Sequence, residues 1–406
     1  MATARRRRRG EGRRLGLALA GGGPGGAVYE VGALRALEEC VEGLDLTSCH
    51  VYVGVSAGAF IAAALANGYT PAQLVRGLVA GAPGAGAFDP AEFVLPAYRE
   101  WARRGAKLPR LIADALVRVG RRPDQRTLIE SLAGLSRALP LGVFDNEPIR
   151  RYLETAFKTK DRSDDFRRLR HRLFIVSVDL ESGKPIVFGS GGWDHVPISR
   201  AVQASTALPG LYPPVEIDGH LCTDGVLLKT VHASVALEHG ADLLLCVNPL
   251  VPVDVAAGES SGALKPGSLL RQGLPALLSQ TFRTLIHSRM VVGMARYRAH
   301  FPGADVLLFE PDRDEYGLFF NNIFSFQSRR EVCEIGYRAT RRDLLRRRAQ
   351  LEPVLARHGC RLRLDVLRDR DRDVWEGVGL SRRGGRRPRV VESLAATLAQ
   401  LEGALA

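Results

Sequence analysis

The chain has 406 residues, of which 46% are hydrophobic and 25% charged, so it can bury a large core and is not a disordered chain. Its formal net charge of +13 comes mostly from arginine, which either covers solvated faces or favours an anionic partner. Because the basic runs contain no interleaved aromatic residues, we expect that partner to be a membrane surface and not nucleic acid.

The N-terminus predicts neither a leader nor an anchor. Residues 1–14 carry the basic run RRRRRGEGRR, which we interpret as a disordered tail, and no apolar core follows it as in a signal peptide. The charge-free stretch Val51–Val75 contains three glycines and a proline, which favours buried core over a membrane span. We therefore expect a cytoplasmic protein, peripheral at the membrane. The six cysteines lack CxxC spacing and predict buried thiols.

Residues 15–41 predict a strand, a glycine-rich loop and a helix. LGLALA at 15–20 is short and apolar, as expected for a buried strand, and it leads directly into GGGPGG at 21–26. Apolar residues then recur at helical spacing as far as Val41. Successive glycine N–H groups beside a helix N-terminus form a concave, positively polarised site, so this loop is a candidate oxyanion site.

Residues 51–65, VYVGVSAGAFIAAAL, predict a second strand, a sharp turn and a small-residue helix. Ser56 lies at the apex of the turn, with a glycine two residues to either side that lets strand and helix pass close together. Such a turn holds the serine hydroxyl exposed as a nucleophile. Two strand–loop–helix units in succession predict neighbouring parallel strands, with both loops at the carboxyl edge where open α/β sheets bind ligands.

The following segments predict further elements of the same sheet. Leu108–Val119 is an amphipathic helix with basic residues, either a lid at a lipid surface or a helix packed on the core. Strands are expected at 173–179 and 243–247, and a hairpin at 215–222 leads to Asp224. Asp224 ends a β segment with a glycine behind it, so its carboxylate can project towards Ser56 and act as the base that a serine nucleophile requires.

Beyond Pro249–Pro266, a loop rich in proline, glycine and serine, the pattern becomes mainly helical. We expect helices at 274–300 and 328–357, a strand at 305–309 between them, and a short strand at 361–366. A charged linker and a terminal amphipathic helix from Val391 complete the chain. The fold class that these elements predict is a three-layer α/β/α domain with a mainly parallel central sheet, extended by a C-terminal helical region, residues 251–406, packed on it.

Three motifs in this order, GGGPGG at 21–26, GVSAG at 54–58 and DGV at 224–226, resemble those of the patatin-like phospholipases. The segments 177–179, 204–209 and 240–242 are also similar, and the resemblance covers roughly residues 15–250, which it implies are a patatin-like catalytic domain. The glycines that carry the motifs are Gly21, Gly22, Gly23, Gly25, Gly26, Gly54, Gly58 and Gly225.

The resemblance implies a serine lipid acyl hydrolase of the phospholipase A or lysophospholipase type, with phospholipid or another acyl-ester lipid as substrate. Ser56 would be the nucleophile and Asp224 its base in a two-residue dyad, and Gly22, Gly23 and Gly25 would form the oxyanion hole, without metal or cofactor. The chain departs from the family in two places. Gly25 stands where a basic residue is usual, and valine follows Asp224-Gly225 where glycine or alanine is usual.

Three alternatives remain open. The glycines 21, 23 and 26 also fit a dinucleotide-binding loop, with Asp45 as ribose ligand, although Asp45 precedes the second strand instead of ending it. A Ser-His-Asp triad of the α/β-hydrolase type would need a histidine from His232, His239, His287, His300 or His358. The third alternative is a lipid-binding protein without catalytic activity.

Overall fold

The structure is a computed structural model, and it describes residues 14–81, 95–121, 138–320 and 326–380. Residues 1–13 of the predicted basic tail and the predicted terminal helix from Val391 lie outside these residues. Within the described ranges, none of the helices is both long and apolar enough to cross a membrane.

Ten strands occur in the described residues. They are β1 (Leu15–Leu19), β2 (Val41–Glu42), β3 (Val51–Val55), β4 (Arg172–Asp179), β5 (Pro185–Phe188), β6 (Val215–Ile217), β7 (His220–Asp224), β8 (Leu243–Val247), β9 (Asp305–Phe309) and β10 (Arg361–Leu362).

The helices of the first half are α1 (Gly23–Cys40), α2 (Ala57–Ala66), α3 (Pro71–Leu74), α4 (Tyr98–Gly105), α5 (Leu108–Arg121), α6 (Glu147–Phe157), α7 (Ile198–Ser205) and α8 (Ala233–Glu238). Those of the second half are α9 (Val255–Ser260), α10 (Ser268–Arg271), α11 (Gly273–His300), α12 (Tyr316–Phe320), α13 (Phe326–Arg346), α14 (Arg348–Arg357) and α15 (Leu364–Arg368). A π-helical turn at Val75–Val79 follows α3, and 3-10 turns lie at Phe166–Arg168, Gly225–Leu227 and Glu376–Val378.

Eight of these strands form one mixed sheet. Its order is β6-β7-β4-β3-β1-β8-β9, with β5 paired to β4. The five central strands β4, β3, β1, β8 and β9 are parallel, and β5, β6 and β7 join antiparallel. The predicted mainly parallel sheet is confirmed. β2 and β10 form a separate antiparallel pair.

Helices flank both faces of the sheet because successive strand side chains point to opposite sides. In β1, Leu15, Leu17 and Leu19 pack into one core together with α1, α2, α7 and α13. Ala18 on the same strand faces a second core with α8 and α11. All six cysteines are buried thiols, as predicted.

The long strand β4 determines where the antiparallel hairpin lies. Its residues 172–176 pair with β3, its residues 177–179 pair with β7, and β5 pairs with 175–178 across both stretches. A strand has only two edges, so β3 and β7 must share one edge of β4, end to end. The carboxyl end of β7 therefore meets the carboxyl end of β3.

The C-terminal helical region packs directly on α1. Gly32 lies against the carbonyl oxygen of Cys333, and a Cβ at Gly32 would stand only 2.0 Å from that oxygen. Gly336 approaches the carbonyl of Tyr29 in the same way, so α1 and α13 run antiparallel in close contact. The position of a domain boundary near residue 250 stays a prediction, and the sheet itself continues past it, because β9 pairs with β8.

Two sequence-based expectations in this region are corrected. The helix expected at 328–357 is broken at Arg347, which lies between α13 and α14. The strand expected at 361–366 comprises only Arg361 and Leu362, because the chain turns into α15 at Leu364. The pairing of β10 with β2 ends at the same point.

Candidate active site

Ser56 connects β3 to α2 in a strained turn. Its backbone has φ 53° and ψ −123°, a conformation that non-glycine residues rarely adopt. The turn is tight enough that a Cβ at Gly58 would stand 2.5 Å from the carbonyl oxygen of Ala20, and one at Gly54 would stand 2.5 Å from Ala59 Cα. Both motif glycines are therefore required by close backbone approach, as the sequence predicted.

The strained backbone of Ser56 is held in place from α7. The Ser56 N–H donates a hydrogen bond of 2.8 Å to Ser205 Oγ, which in turn donates to the carbonyl of Val176 at 2.6 Å. Ser205 is thus a link between the turn and strand β4. Its role was not predicted, although it lies within the 204–209 segment that resembles the family.

Asp224 lies directly beside Ser56. The Ser56 Oγ–H donates to Asp224 Oδ2 at 2.7 Å, and the Val226 N–H donates to Oδ1 at 2.9 Å. The Asp224 N–H donates to the carbonyl of Ala207 at 3.1 Å. The two side chains predicted as a dyad are therefore in hydrogen-bonding contact, 168 residues apart in the chain.

Burial determines the protonation of this carboxyl group. Asp224 is 2% exposed, and burial raises its pKa from 3.8 to about 7, while the hydrogen bonds from Ser56 and Val226 oppose the shift. A group with a pKa near the working pH can both accept and return a proton, which is what general-base catalysis requires. Ser56 is also buried, so its hydroxyl is less exposed than the turn alone predicted.

The glycine loop reaches the same place from the other side. Gly23 has φ 61° and begins α1, and the first helical hydrogen bond is donated by the Gly26 N–H to the Gly22 carbonyl at 3.0 Å. The N–H groups of Gly23 and Gly25 precede that bond, so they have no acceptor within the helix, and Pro24 has no N–H. Donors of this kind at a helix N-terminus suit an anion.

The three glycines predicted to form the oxyanion hole differ in position. Gly23 lines the cavity in front of Ser56. Gly22 packs against Pro249, where a Cβ would stand 2.7 Å from Pro249 Cγ, and Gly25 is buried in the first turn of α1. The other motif glycines lie close by: Gly21 beside Ser56, Gly26 beside Pro249, and Gly225 beside Val176.

A pocket lies in front of the two side chains, and together with the open solvent at its entrance it spans about 740 Å³. The N-termini of α1 and α2, at Gly23 and Ala57, both line it. Its walls are otherwise mainly apolar, formed by Ala27, Val28, Phe60, Leu78, Ile149, Leu208 and Leu211. A long apolar group fits this lining, with a polar centre at Ser56 and Asp224.

Arg329 adds a basic side chain to the cavity lining, and no sequence pattern predicted it there. It lies in the first turn of α13 and donates to the carbonyl of Leu78 at 3.3 Å. No motif marks it, and only the packing of α13 on α1 brings it to the cavity.

The five candidate histidines contact other groups. His232 Nε2 lies 3.2 Å from the Gly225 carbonyl, and burial lowers its pKa to about 4, so it is neutral. His239, directly after α8, and His300, at the end of α11, each bond to the backbone carbonyl four residues earlier. His358 bonds to Asp305, and His287 faces Glu310. The geometry therefore favours a dyad over a triad.

The dinucleotide alternative fails on the position of its acidic residue. Asp45 accepts hydrogen bonds from Thr47 in the loop before β3, at the amino end of that strand. The glycine loop lies at the carboxyl end. Among the described residues, no group of three or more His, Cys, Asp and Glu side chains is arranged to hold a metal ion.

Comparisons with known proteins agree with these motifs. The family model of the patatin-like phospholipases matches residues 17–237, which is more than half of the chain. An uncharacterized NTE family protein of Mycobacterium tuberculosis is 26% identical over 359 residues, covering 86% of this chain and 49% of that protein. A second one is 36% identical over 73 residues, 18% of this chain and 19% of that protein. The chain thus spans about half the length of the first relative.

Among solved structures, VipD from Legionella pneumophila aligns with a TM-score of 0.38 at 15% identity, over 81% of this chain and 66% of VipD. The type III effector protein ExoU aligns with a TM-score of 0.35, also at 15% identity, over 83% of this chain and 53% of ExoU.

Proposed function

The chain belongs to the patatin-like phospholipase family, and from that membership we propose that it hydrolyses acyl esters of lipids, with Ser56 as the nucleophile and Asp224 as its base. The observation that carries the proposal is the 2.7 Å hydrogen bond from Ser56 Oγ to a buried carboxylate whose pKa is raised to about 7. A nucleophile and a base in contact, both lining an apolar cavity, are the parts that this reaction needs.

The reaction has two steps with the same base. Asp224 accepts the Oγ proton while Oγ attacks the ester carbonyl carbon, and the departing alcohol then takes that proton, leaving the acyl group on Ser56. A water molecule attacks the acyl carbonyl and gives a proton to Asp224. The fatty acid departs as the proton returns to Ser56 Oγ, which restores the free enzyme.

The negative charge that develops on the carbonyl oxygen needs donors within reach. We assign this role to the N–H groups of the glycine loop, those of Gly23, which lines the cavity, and of its neighbours Gly22 and Gly25. The N-termini of α1 and α2 point their positive dipole ends at the same cavity. Because Gly25 replaces the family's basic residue, backbone donors would stabilise the charge without a neighbouring cation on this loop.

The cavity supports a lipid as substrate. Its apolar walls fit an acyl chain, and an ester at the end of that chain would reach Ser56. We propose phospholipids or lysophospholipids, cleaved in the manner of a phospholipase A, at an anionic membrane surface to which the protein attaches peripherally. The net charge of +13 is consistent with such a surface.

The proposal is tested with purified protein on a short p-nitrophenyl ester and on mixed phospholipid vesicles. Ser56→Ala should lower turnover by about 10⁴ or more, because the nucleophile is lost, and Asp224→Asn should be nearly as damaging, because an amide cannot accept the proton. Ser199→Ala is the matched control: this serine is also buried, but it bonds to Asp164, away from the cavity.

Turnover by Ser56→Ala close to that of the wild type would show that the nucleophile lies elsewhere. A wild-type protein that binds vesicles without releasing fatty acid would instead support the lipid-binding alternative. Fatty-acid release that Ser56→Ala and Asp224→Asn abolish, and Ser199→Ala preserves, is the expected result.

A further inference from the structure

Three separate segments meet at the mouth of the cavity and form one small backbone clip. The Phe144 N–H donates to the Leu211 carbonyl at 2.9 Å, and the Asp145 N–H donates to the Leu95 carbonyl at 2.8 Å. The Ala97 N–H donates to the Val143 carbonyl at 3.1 Å. Since Leu211 also lines the cavity, this clip borders the opening in front of Ser56.

Several side chains of the clip and its neighbours are apolar and exposed. Six of them, between 37% and 65% exposed, form what we call the mouth rim: Leu95, Trp101, Leu139, Leu141, Val143 and Leu211. Single exposed apolar residues are ordinary, but a cluster of six beside a ligand cavity marks an interaction surface.

Helices α4 and α5, which follow each other along the chain, carry further exposed apolar side chains. Tyr98, Ile112 and Leu116 are large and exposed, and Trp101 donates its indole N–H to the Val143 carbonyl, which joins α4 to the mouth rim. Between residues 95 and 117 the sequence has five basic and two acidic residues, a net charge of +3. Lys107 and Arg110 are among the exposed basic side chains.

We propose that the mouth rim and α4–α5 form the face with which the protein docks on an anionic lipid bilayer, so that the cavity opens onto its substrate. This inference rests on the proposed function. Exposed leucines insert among acyl chains, tryptophan and tyrosine favour the interface, and basic residues bind acidic head groups. A second copy of the chain fits less well, because two faces with a net charge of +3 would repel each other.

Helix α11 offers a matched comparison. It carries exposed leucines of similar extent, including Leu274 and Leu278, which do not line the cavity. A general affinity of exposed leucine for lipid would act equally through both surfaces. Specific docking would depend on the leucines of the mouth rim and not on those of α11. Paired variants on the two surfaces therefore separate these explanations.

The experiment measures vesicle binding by flotation, with Ser56→Ala present in every protein so that no lipid is consumed. Vesicles of phosphatidylcholine with and without phosphatidylglycerol are compared at low and high salt. The rim variant Leu139→Ser/Leu141→Ser should bind anionic vesicles at least tenfold more weakly, and Lys107→Glu/Arg110→Glu should lose the preference for phosphatidylglycerol. The control Leu274→Ser/Leu278→Ser should bind as the parent does.

Activity on a soluble ester separates this inference from the proposed function. With Ser56 intact, the rim variant should hydrolyse a short p-nitrophenyl ester within twofold of the wild type, because neither leucine lines the cavity. Unchanged vesicle binding by the rim variant, or an equal loss in the α11 control, would overturn the docking face. So would a dimeric wild type that the rim substitutions convert to a monomer. None of these outcomes bears on whether Ser56 is the nucleophile.

Discussion

The pH dependence of ester hydrolysis tests the buried carboxyl group most directly. Asp224 can accept the Ser56 proton only when it is ionised, and burial raises its pKa to about 7. At pH 5 only about one molecule in a hundred would be ionised, so kcat/KM should lie about 100-fold below its plateau at pH 9. An aspartate with its ordinary pKa of 3.8 would lose less than a tenth of the activity at pH 5.

The assay uses a short, uncharged p-nitrophenyl ester, followed at a wavelength where p-nitrophenol and its anion absorb equally. An uncharged substrate keeps substrate titration out of the profile, and kcat/KM reports the free enzyme. Circular dichroism at each pH checks that the protein remains folded. Asp224→Asn serves as the control, because its residual activity should lack the step near pH 7.

A histidine base would also titrate near pH 7, so the midpoint alone does not identify the group. The same profile is therefore measured in variants of His239, His287, His300 and His358, which should keep both rate and midpoint. Substitution of His232 is expected to lower the rate, since it bonds to the carbonyl of Gly225, but to leave the midpoint in place. A midpoint below pH 5 in the wild type, or one that disappears with a histidine, would refute the reasoning.

Three further predictions follow from the same geometry. Because folding raises the pKa of Asp224, the free energy of unfolding of the wild type should fall as the pH rises from about 4 to about 7. In urea unfolding, Asp224→Asn should therefore be more stable than the wild type by on the order of 4 kcal/mol at pH 8, and equally stable below pH 4. Glu30 is fully buried, and burial raises its pKa while a backbone hydrogen bond from Ala20 opposes the shift, so Glu30→Gln should also stabilise the protein at neutral pH but not below pH 4. Gly22→Ala would bring a methyl group against Pro249, and Gly23→Ala would strain a backbone with positive φ. Both substitutions should therefore lower kcat more than they change KM, with a loss of transition-state stabilisation of up to about 3 kcal/mol. The first prediction is contradicted if Asp224→Asn is less stable than the wild type, and the second if Glu30→Gln is no more stable at neutral pH. The third is contradicted if the glycine variants keep the kcat of the wild type.

The parts of the fold that the sequence predicts well depend on neighbours along the chain. The turn at Ser56 follows from an apolar strand, two glycines and a helix of small residues, all within residues 51–66, and the structure has them in that order. The bounds of β8 and β9 also agree, because each is a short apolar run between helices. Local periodicity and glycine spacing suffice for such elements.

Contacts between distant segments were not predictable in the same way. Asp224 reaches Ser56 because β7 pairs with the same edge of β4 as β3, beyond the point where β3 ends. No local sequence pattern encodes that register. Ser205 and Arg329 reach the site through the packing of α7 and α13. The glycine behind Asp224 and the family resemblance both predicted the pairing of Ser56 with Asp224. The resemblance covered Ser205 without giving it a role, and it did not include Arg329.

The glycine at position 25 and the high pKa of Asp224 have a common electrostatic meaning. Burial raises the pKa of this carboxyl group, two hydrogen bonds lower it, and no neighbouring charge contributes. A cation on the first turn of α1 would stabilise the oxyanion, but it would also stabilise the ionised carboxylate and so make Asp224 a weaker base. With glycine at this position, the proposed base would keep its strength, and the N-terminal N–H groups of α1 and α2 would be left to stabilise the oxyanion. The proposed site would thus combine a stronger base with an oxyanion site built from backbone dipoles.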